Sequence, residues 1–207
     1  MANTILVATT NQGKIRELHR LLEVEAEMVQ LVGLDDVGPV PEVVEDEPTF
    51  AGNARKKATA YAAATGYWTI SDDSGLVIDA LDGLPGVRSA RFSGVRDPDR
   101  RVVDRANIRK VLEMMQAVPE AERAARFVCC VCLADPEKVL LETEGLVEGK
   151  ITLDPLGEKG FGYDPIFWVP SLSRTMAQLD SGEKNAISHR GNAIRKLKPR
   201  LEPLLRV

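Results

Sequence analysis

No apolar run in this sequence is long enough to span a bilayer, so a membrane-crossing helix is not expected. The N-terminal MANTILVATTNQGK lacks both the leading basic region and the long apolar core of a secretion signal, which speaks against export. An excess of positive charge is missing as well. The net charge of −4 argues against wholesale binding to nucleic acid, so an anionic ligand has to be held by a local cluster of cations. Cysteine is sparse: Cys129, Cys130 and Cys132 are bunched in RFVCCVCLAD, too close along one strand to staple distant parts of a fold. With His19 and His189 the only histidines and no second cysteine pair, buried core cysteines are favoured over a metal site. A reducing, cytoplasmic setting follows as the expectation. There is no internal repeat, low-complexity tract or interdomain linker, so residues 1–207 are expected to form a single domain, large enough for one core or for two lobes.

What is present is an alternation of strand and helix patterns. NTILVAT reads as a buried strand, followed by a helix over GKIRELHRLLEV with Ile15, Leu18, Leu21 and Leu22 on one face. EMVQLVGL reads as a second strand, and the acid- and proline-rich DDVGPVPEVVEDEP as an exposed loop. Thr49 suits the N-cap of a helix over FAGNARKKATAYAAATG, with Gly66 as its stop. YWTISDD and GLVIDAL read as two strands with Asp72 and Asp73 at the break between them. A loop over LDGLPGVRSARFSG precedes an amphipathic helix with Val103, Ile108, Val111, Leu112 and Met115 on its apolar side. ARFVCCVCLAD and KVLLETEGLVEGKIT form two long strands joined by a turn; DPLGEKGFGYDPIFWVP is a loop, and EKNAISHRGNAIRKLKPRLEPLL a closing helix. Crossovers together with a hairpin give an α/β protein with a mixed sheet.

Several stretches carry chemistry. Two adjacent carboxylates raise each other's pKa unless a cation or a proton resolves them, so Asp72 and Asp73 ask for one. In ATTNQGK a strand enters a turn with Thr9, Thr10, Asn11, Gln12 and Gly13, and Lys14 opens the helix. The first-turn N–H groups and the lysine can hold an anion, although the glycine spacing is not that of a P-loop and a plain helix cap with a solvated lysine fits the segment alone. Asn53 and Lys57, four apart, share one helix face, which by itself also suits a solvated basic helix; the preceding Glu45, Asp46 and Glu47 by themselves read as a solubilising loop. In GFGYDPIFW, glycines flank Phe161 and Tyr163, Gly162 lies between them, and Asp164 before a proline is held extended. A ring-stacking site and a tight turn with core aromatics are equally compatible with that pattern. EKNAISHRG gathers Lys184, Ser188, His189 and Arg190, donors suited to carbonyl and phosphate oxygens. Cations, an acid set for a divalent metal, an aromatic loop and a donor cluster together match the needs of a nucleoside triphosphate.

The stretches ATTNQGKIREL, EDEPTFAGNARKKA, DDSGLVIDALDGLPGVRSARFSG, ARFVC, GFGYDPIF and EKNAISHRGNA resemble the inosine triphosphate pyrophosphatase family, in family order and over nearly the whole chain. Thr10 departs from the glycine of many relatives and leaves Asn11 and Lys14 in register. The resemblance implies an elongated mixed β-sheet flanked by helices, two lobes with a nucleotide cleft between them, and a homodimer. It also implies cleavage of ITP, dITP and XTP between the α and β phosphates. Mg²⁺ would be held by Glu45 and Asp73, helped by Asp72. Glu45 is chosen because it lies twelve residues before Lys57, as the family's carboxylate does, with Glu47 as the rival. Asp73 would also accept a proton from the attacking water beside the catalytic Lys57, while Thr9, Asn11, Lys14 and Lys57 grip the triphosphate with Ser74 at its edge. Phe161 would stack on the base, Asp164 accept from N1–H, and Arg190 or His189 donate to the 6-oxo oxygen. Neither nucleic acid nor membrane is an expected partner.

Overall fold

The computed structural model describes residues 3–22 and 29–206, with the side chains of Asn3 and Gln12 left aside. Glu27 and Met28, placed at the start of the second strand by the sequence, and Glu23 and Val24 at the end of the first helix, lie outside the described residues.

The first strand, β1, covers Asn3–Val7 and leads into helix α1, Gln12–Leu22, after which β2 runs over Val29–Gly33. β1 pairs in parallel with β2 and with β3, Trp68–Ile78. Between them, α2 covers Phe50–Thr65. It starts where the Thr49 side chain accepts the Gly52 N–H and stops at Gly66, whose φ of +76° a side chain would oppose. After β3 come helix α3 (Arg100–Met114), strands β4 (Ala124–Ala134), β5 (Val139–Ile151), β6 (Phe167–Val169) and β7 (Arg174–Thr175), and helices α4 (Ser181–Ile187) and α5 (His189–Leu205). The seven strands lie in the order β2-β1-β3-β4-β5-β6-β7. β5, β6 and β7 pair antiparallel, so the sheet is mixed, as expected. Among the described residues no helix is long and apolar enough to cross a membrane.

The chain separates into two compact units, residues 1–73, 129–145 and 189–207 in the first and 74–128 with 146–188 in the second. In the first, the period-two alternation of β1 sends Ile5 and Val7 to a core with Leu18, Leu22, Ile70, Val131, Leu133 and the apolar face of α5. Leu6 points the other way, to Tyr61 of α2. In the second, Leu76 and Ile78 pack with Phe92, Ile108, Val111, Met115, Phe127 and Phe167.

Four expectations are corrected. β3 is continuous through Asp72, Asp73, Ser74 and Gly75, because Ile70 on one side and Leu76 and Ile78 on the other are each anchored in a core. The acid- and proline-rich loop is not wholly exposed: Val37, Val40 and Val43 pack against Leu6, Ala8 and Tyr61, and the Val43 N–H donates to the Tyr61 hydroxyl at 3.3 Å. The loop after β5 contains β6, and β7 follows it, both too short for periodicity to reveal. The closing helix is two helices, divided at Ser188, whose ψ of 155° is extended. The three cysteines are buried and unbridged, as expected of core residues.

Candidate active site

Asp72 and Asp73 sit consecutively on one strand, so their side chains leave on opposite faces of the sheet and meet different surroundings. Asp72 is fully buried. Its Oδ2 takes the Lys14 ammonium at 3.0 Å, Arg190 Nη2 at 2.9 Å and Nε at 3.3 Å, and the Cys129 thiol at 3.8 Å. Burial alone would raise this carboxyl's pKa; Lys14, then Arg190 and Lys57, hold it far below the ordinary carboxylate range. In the structure Asp72 is the counter-charge of Lys14 and of the buried Arg190. Asp73 shifts the other way. Burial, with the nearby charge of Glu45, pushes its pKa up against the opposing pull of Lys14, Lys57 and the Asn53 amide, which donates to Asp73 Oδ2 at 3.0 Å.

The acid loop is tied to this pair through α2. Asn53 Oδ1 accepts the Glu47 N–H at 3.0 Å, so one amide fixes both the loop backbone and Asp73. Lys57 Nζ donates to Glu45 Oε1 at 2.5 Å and to the Asp72 carbonyl at 2.7 Å. Burial works against its charge, but Asp72 and Glu45 more than offset that and raise its pKa. The solvated-helix reading of Asn53 and Lys57 thus fails: both are buried. Of the two loop glutamates, Glu45 is the one whose side chain reaches Lys57, while Glu47 contributes backbone.

At the first turn, the cap half of the plain-cap reading holds and the solvated-lysine half does not. Asn11 Oδ1 accepts the Gly13 and Lys14 N–H groups at 2.9 and 3.2 Å, a helix cap, and Thr9 Oγ1 accepts the Asn11 N–H at 3.2 Å. Lys14, however, is turned to Asp72 instead of solvent. Thr10 is exposed, and the Gln12 side chain is not described. Sequence reasoning missed Glu17, which pairs with Arg190 Nη1; its position three residues after Lys14, on the same helix face, was the available signal. Gly145 was missed too. A Cβ there would lie 2.2 Å from the His189 carbonyl and 2.3 Å from the Ala193 nitrogen, so only glycine lets the first turn of α5, and with it Arg190, approach β5.

A second set is assembled inside the second unit. Asp164 Oδ2 accepts from the Lys184 ammonium at 2.7 Å and from the Phe161 N–H at 2.9 Å, and Lys184 lies 4.6 Å from the centroid of the Phe161 ring. Tyr163 is buried and its hydroxyl donates to the Ser89 carbonyl at 2.9 Å, a core role, whereas Phe161 is only half-buried. The core reading of the aromatic loop therefore holds for Tyr163, and the half-buried Phe161 is left as the candidate stacking ring. A Cβ on Gly160 would fall 2.0 Å from Asp164 Oδ2, and Gly162 has φ of +62°, so the turn needs both glycines. The donor cluster expected around Lys184, Ser188, His189 and Arg190 is divided. The extended Ser188 separates the helices, leaving Lys184 on Asp164 in the second unit and Arg190 on Asp72 and Glu17 in the first. Ser74, half-buried, directly follows Asp73 on β3.

Among the described residues no group of three or more His, Cys, Asp and Glu gathers as a metal centre. Glu45 and Asp73 nevertheless form a mutually repelling oxygen pair, and one or two carboxylates completed by phosphate and water are the usual protein share of a Mg²⁺ site. The donor set fits that ion.

The chain is 47% identical over 200 residues to a dITP/XTP pyrophosphatase of Shouchella clausii, covering 97% of each chain, and 47% identical over 197 residues to one of Gloeobacter violaceus, covering 95% and 93%. Among solved structures, a HAM1 protein from Coxiella burnetii superposes with a TM-score of 0.86 at 39% identity, over 97% of this chain and 99% of that one. A nucleoside-triphosphatase / dITP/XTP pyrophosphatase from Mycobacterium abscessus does so with 0.75 at 43%, over 95% and 99%. The Ham1 family model matches residues 5–200, and the chain belongs to that family.

Proposed function

We propose that the protein hydrolyses the non-standard purine nucleoside triphosphates dITP, ITP and XTP to the nucleoside monophosphate and pyrophosphate. The observation that carries this reading is the gathering of Lys14 and the buried Lys57 and Arg190 around two carboxylates of opposite character on one strand. Relatives named for this activity support it.

In this reading the triphosphate goes to the first set of residues and the base to the second. Lys14, Lys57 and the capped turn at Asn11 receive phosphate oxygens, and Glu45 with Asp73 would hold Mg²⁺, which would neutralise phosphate charge. Asp73 would take a proton from water as the water oxygen attacks the α phosphorus. The new bond is water oxygen to Pα; the bond from Pα to the bridging oxygen breaks, and pyrophosphate leaves. Asp72 keeps the cations charged and aimed without touching the reaction. Lys184 lies against one face of Phe161, leaving the other to stack on the base, and Asp164 would accept from N1–H. Adenine lacks that N1–H, and its 6-amino group would meet donors, leaving buried polar groups unpaired. Arg190 is held by Asp72 and Glu17, so His189 is our assignment for the 6-oxo donor. We also take the working form to be a cytoplasmic homodimer, which size-exclusion chromatography with light scattering checks.

The test is to supply ITP, XTP, dITP, GTP and ATP with Mg²⁺ and measure pyrophosphate against orthophosphate. Pyrophosphate from the first three with little from GTP and ATP is expected; orthophosphate as the first product would mean that a different bond is cut.

A further inference from the structure

The turn that presents Phe161 is gripped from outside its own stretch of chain. Asp104, buried on α3, accepts the Gly162 N–H at 2.8 Å through Oδ2. Its Oδ1 lies 3.0 Å from Arg100 Nε, one helical turn earlier, but off the line a hydrogen bond requires, so that contact is an ion pair alone. The neighbouring Phe161 N–H goes to Asp164. Successive N–H groups of the turn are thus each taken by a different carboxylate, one local and one 58 residues away. Asp104 does not serve its own helix start, where Asp99 accepts the Arg101 N–H. α3 is itself fixed: Asn107 accepts the Ser93 N–H at 2.7 Å and donates to the Ser89 carbonyl at 3.3 Å, the same carbonyl that receives the Tyr163 hydroxyl. A carboxylate on so constrained a helix can hold a left-handed turn in one orientation, and its bond to a backbone N–H is of the stronger, charge-assisted kind.

We infer that Asp104 is a positioning residue for base recognition: by accepting the Gly162 N–H from α3 it sets the orientation in which Phe161 and Asp164 meet the base. The inference rests on the reading of Phe161 and Asp164 as base-binding residues. Without this contact the turn must be ordered each time substrate binds, which weakens binding and base choice while leaving the chemistry at Asp73 intact.

The experiment compares Asp104→Ala, Asp104→Asn and Phe161→Ala in the full chain with Mg²⁺, reading kcat, KM and melting temperature with dITP and dATP. For Asp104→Ala, KM for dITP rises about tenfold, the loss expected for one hydrogen bond to a charged group, with kcat within about twofold and the preference for dITP over dATP reduced. Asp104→Asn recovers most of KM, since its amide oxygen still accepts the Gly162 N–H. A merely structural role would lower kcat for both substrates, through a smaller active fraction, and leave KM alone; that result overturns the inference. So does an unchanged KM in Asp104→Ala beside a raised one in Phe161→Ala, which leaves the base-stacking reading standing. An unchanged KM in Phe161→Ala overturns the stacking reading and the inference with it. If Asp104→Ala does not fold, Asp104→Ser, too short to reach Gly162 but open to hydration, carries the same expectations.

Discussion

Asp72 and Asp73 carry the same side chain and are joined by one peptide bond, yet their pKa values shift in opposite directions, and each direction has its own consequence. Asp73 is destabilised as an anion by burial and by Glu45, so in the folded state it holds its proton to higher pH than in the unfolded chain; its ionisation costs stability as pH rises through the folded value. Asp73→Asn should therefore lose turnover by about 10²–10⁴-fold, the share of a positioned base, while melting at the same temperature or higher at neutral pH and still binding nucleotide by calorimetry. Near-normal turnover would remove Asp73 from the base role. Asp72 is the reverse case. Its folded-state pKa lies below the unfolded value, so its contribution is present above about pH 4 and is lost as pH falls toward the folded value. Asp72→Asn strands Lys14 and Arg190 beside a neutral group, at a cost of about 3 kcal/mol at neutral pH. Urea titrations at pH 7 and near pH 3 should show that difference shrinking in acid; a difference independent of pH would mean that Asp72 acts by shape alone. Residue types and their order along the chain made both aspartates legible from sequence. Their division of labour was not, because it depends on Arg190 arriving from the far end of the chain and Glu17 meeting it across 173 residues.

At the scale of elements, local signals held where local chemistry decides. The Thr49 cap and the Gly66 stop bound α2 as expected, since both act within four residues of themselves. The break at Ser188 and the straight run of β3 escaped the sequence because distant packing sets them: Gly145 admits the first turn of α5, and two cores hold β3 taut. Arg123 shows the same dependence. Its buried guanidinium has four backbone carbonyls as acceptors: Met115 and Val118 after α3, and Ile151 and Thr152 at the end of β5. It joins the end of a helix to the end of a strand, and nothing in the local sequence announces it. Arg123→Met keeps apolar volume and leaves those carbonyls without their donor. Urea unfolding should show a loss of about 3 kcal/mol. Arg123→Lys should recover only part of it, because an ammonium cannot match the planar fork. Full recovery by lysine would mean that charge alone is what matters there.

Across the whole molecule, the boundary between the two compact units does not fall in linkers; it cuts β3 after Asp73, β4 after Val128 and β5 after Gly145. A single strand therefore feeds two cores: in β4, Ala125 and Phe127 pack in the second unit and Cys129, Val131 and Leu133 in the first. Losing either core removes part of the packing that keeps the shared strands β3, β4 and β5 extended. Thermal unfolding should accordingly be a single transition by calorimetry, although a chain of this length could melt in steps. Leu133→Ala and Phe127→Ala each delete a buried side chain from a different core, at a cost of about 3 kcal/mol or more. For a chain of this size that corresponds to a drop of roughly 6–12 °C in the one transition, whichever core is cut. If the trace instead resolves into two transitions, with Leu133→Ala moving one and Phe127→Ala the other, the units melt independently and the shared strands do not couple them.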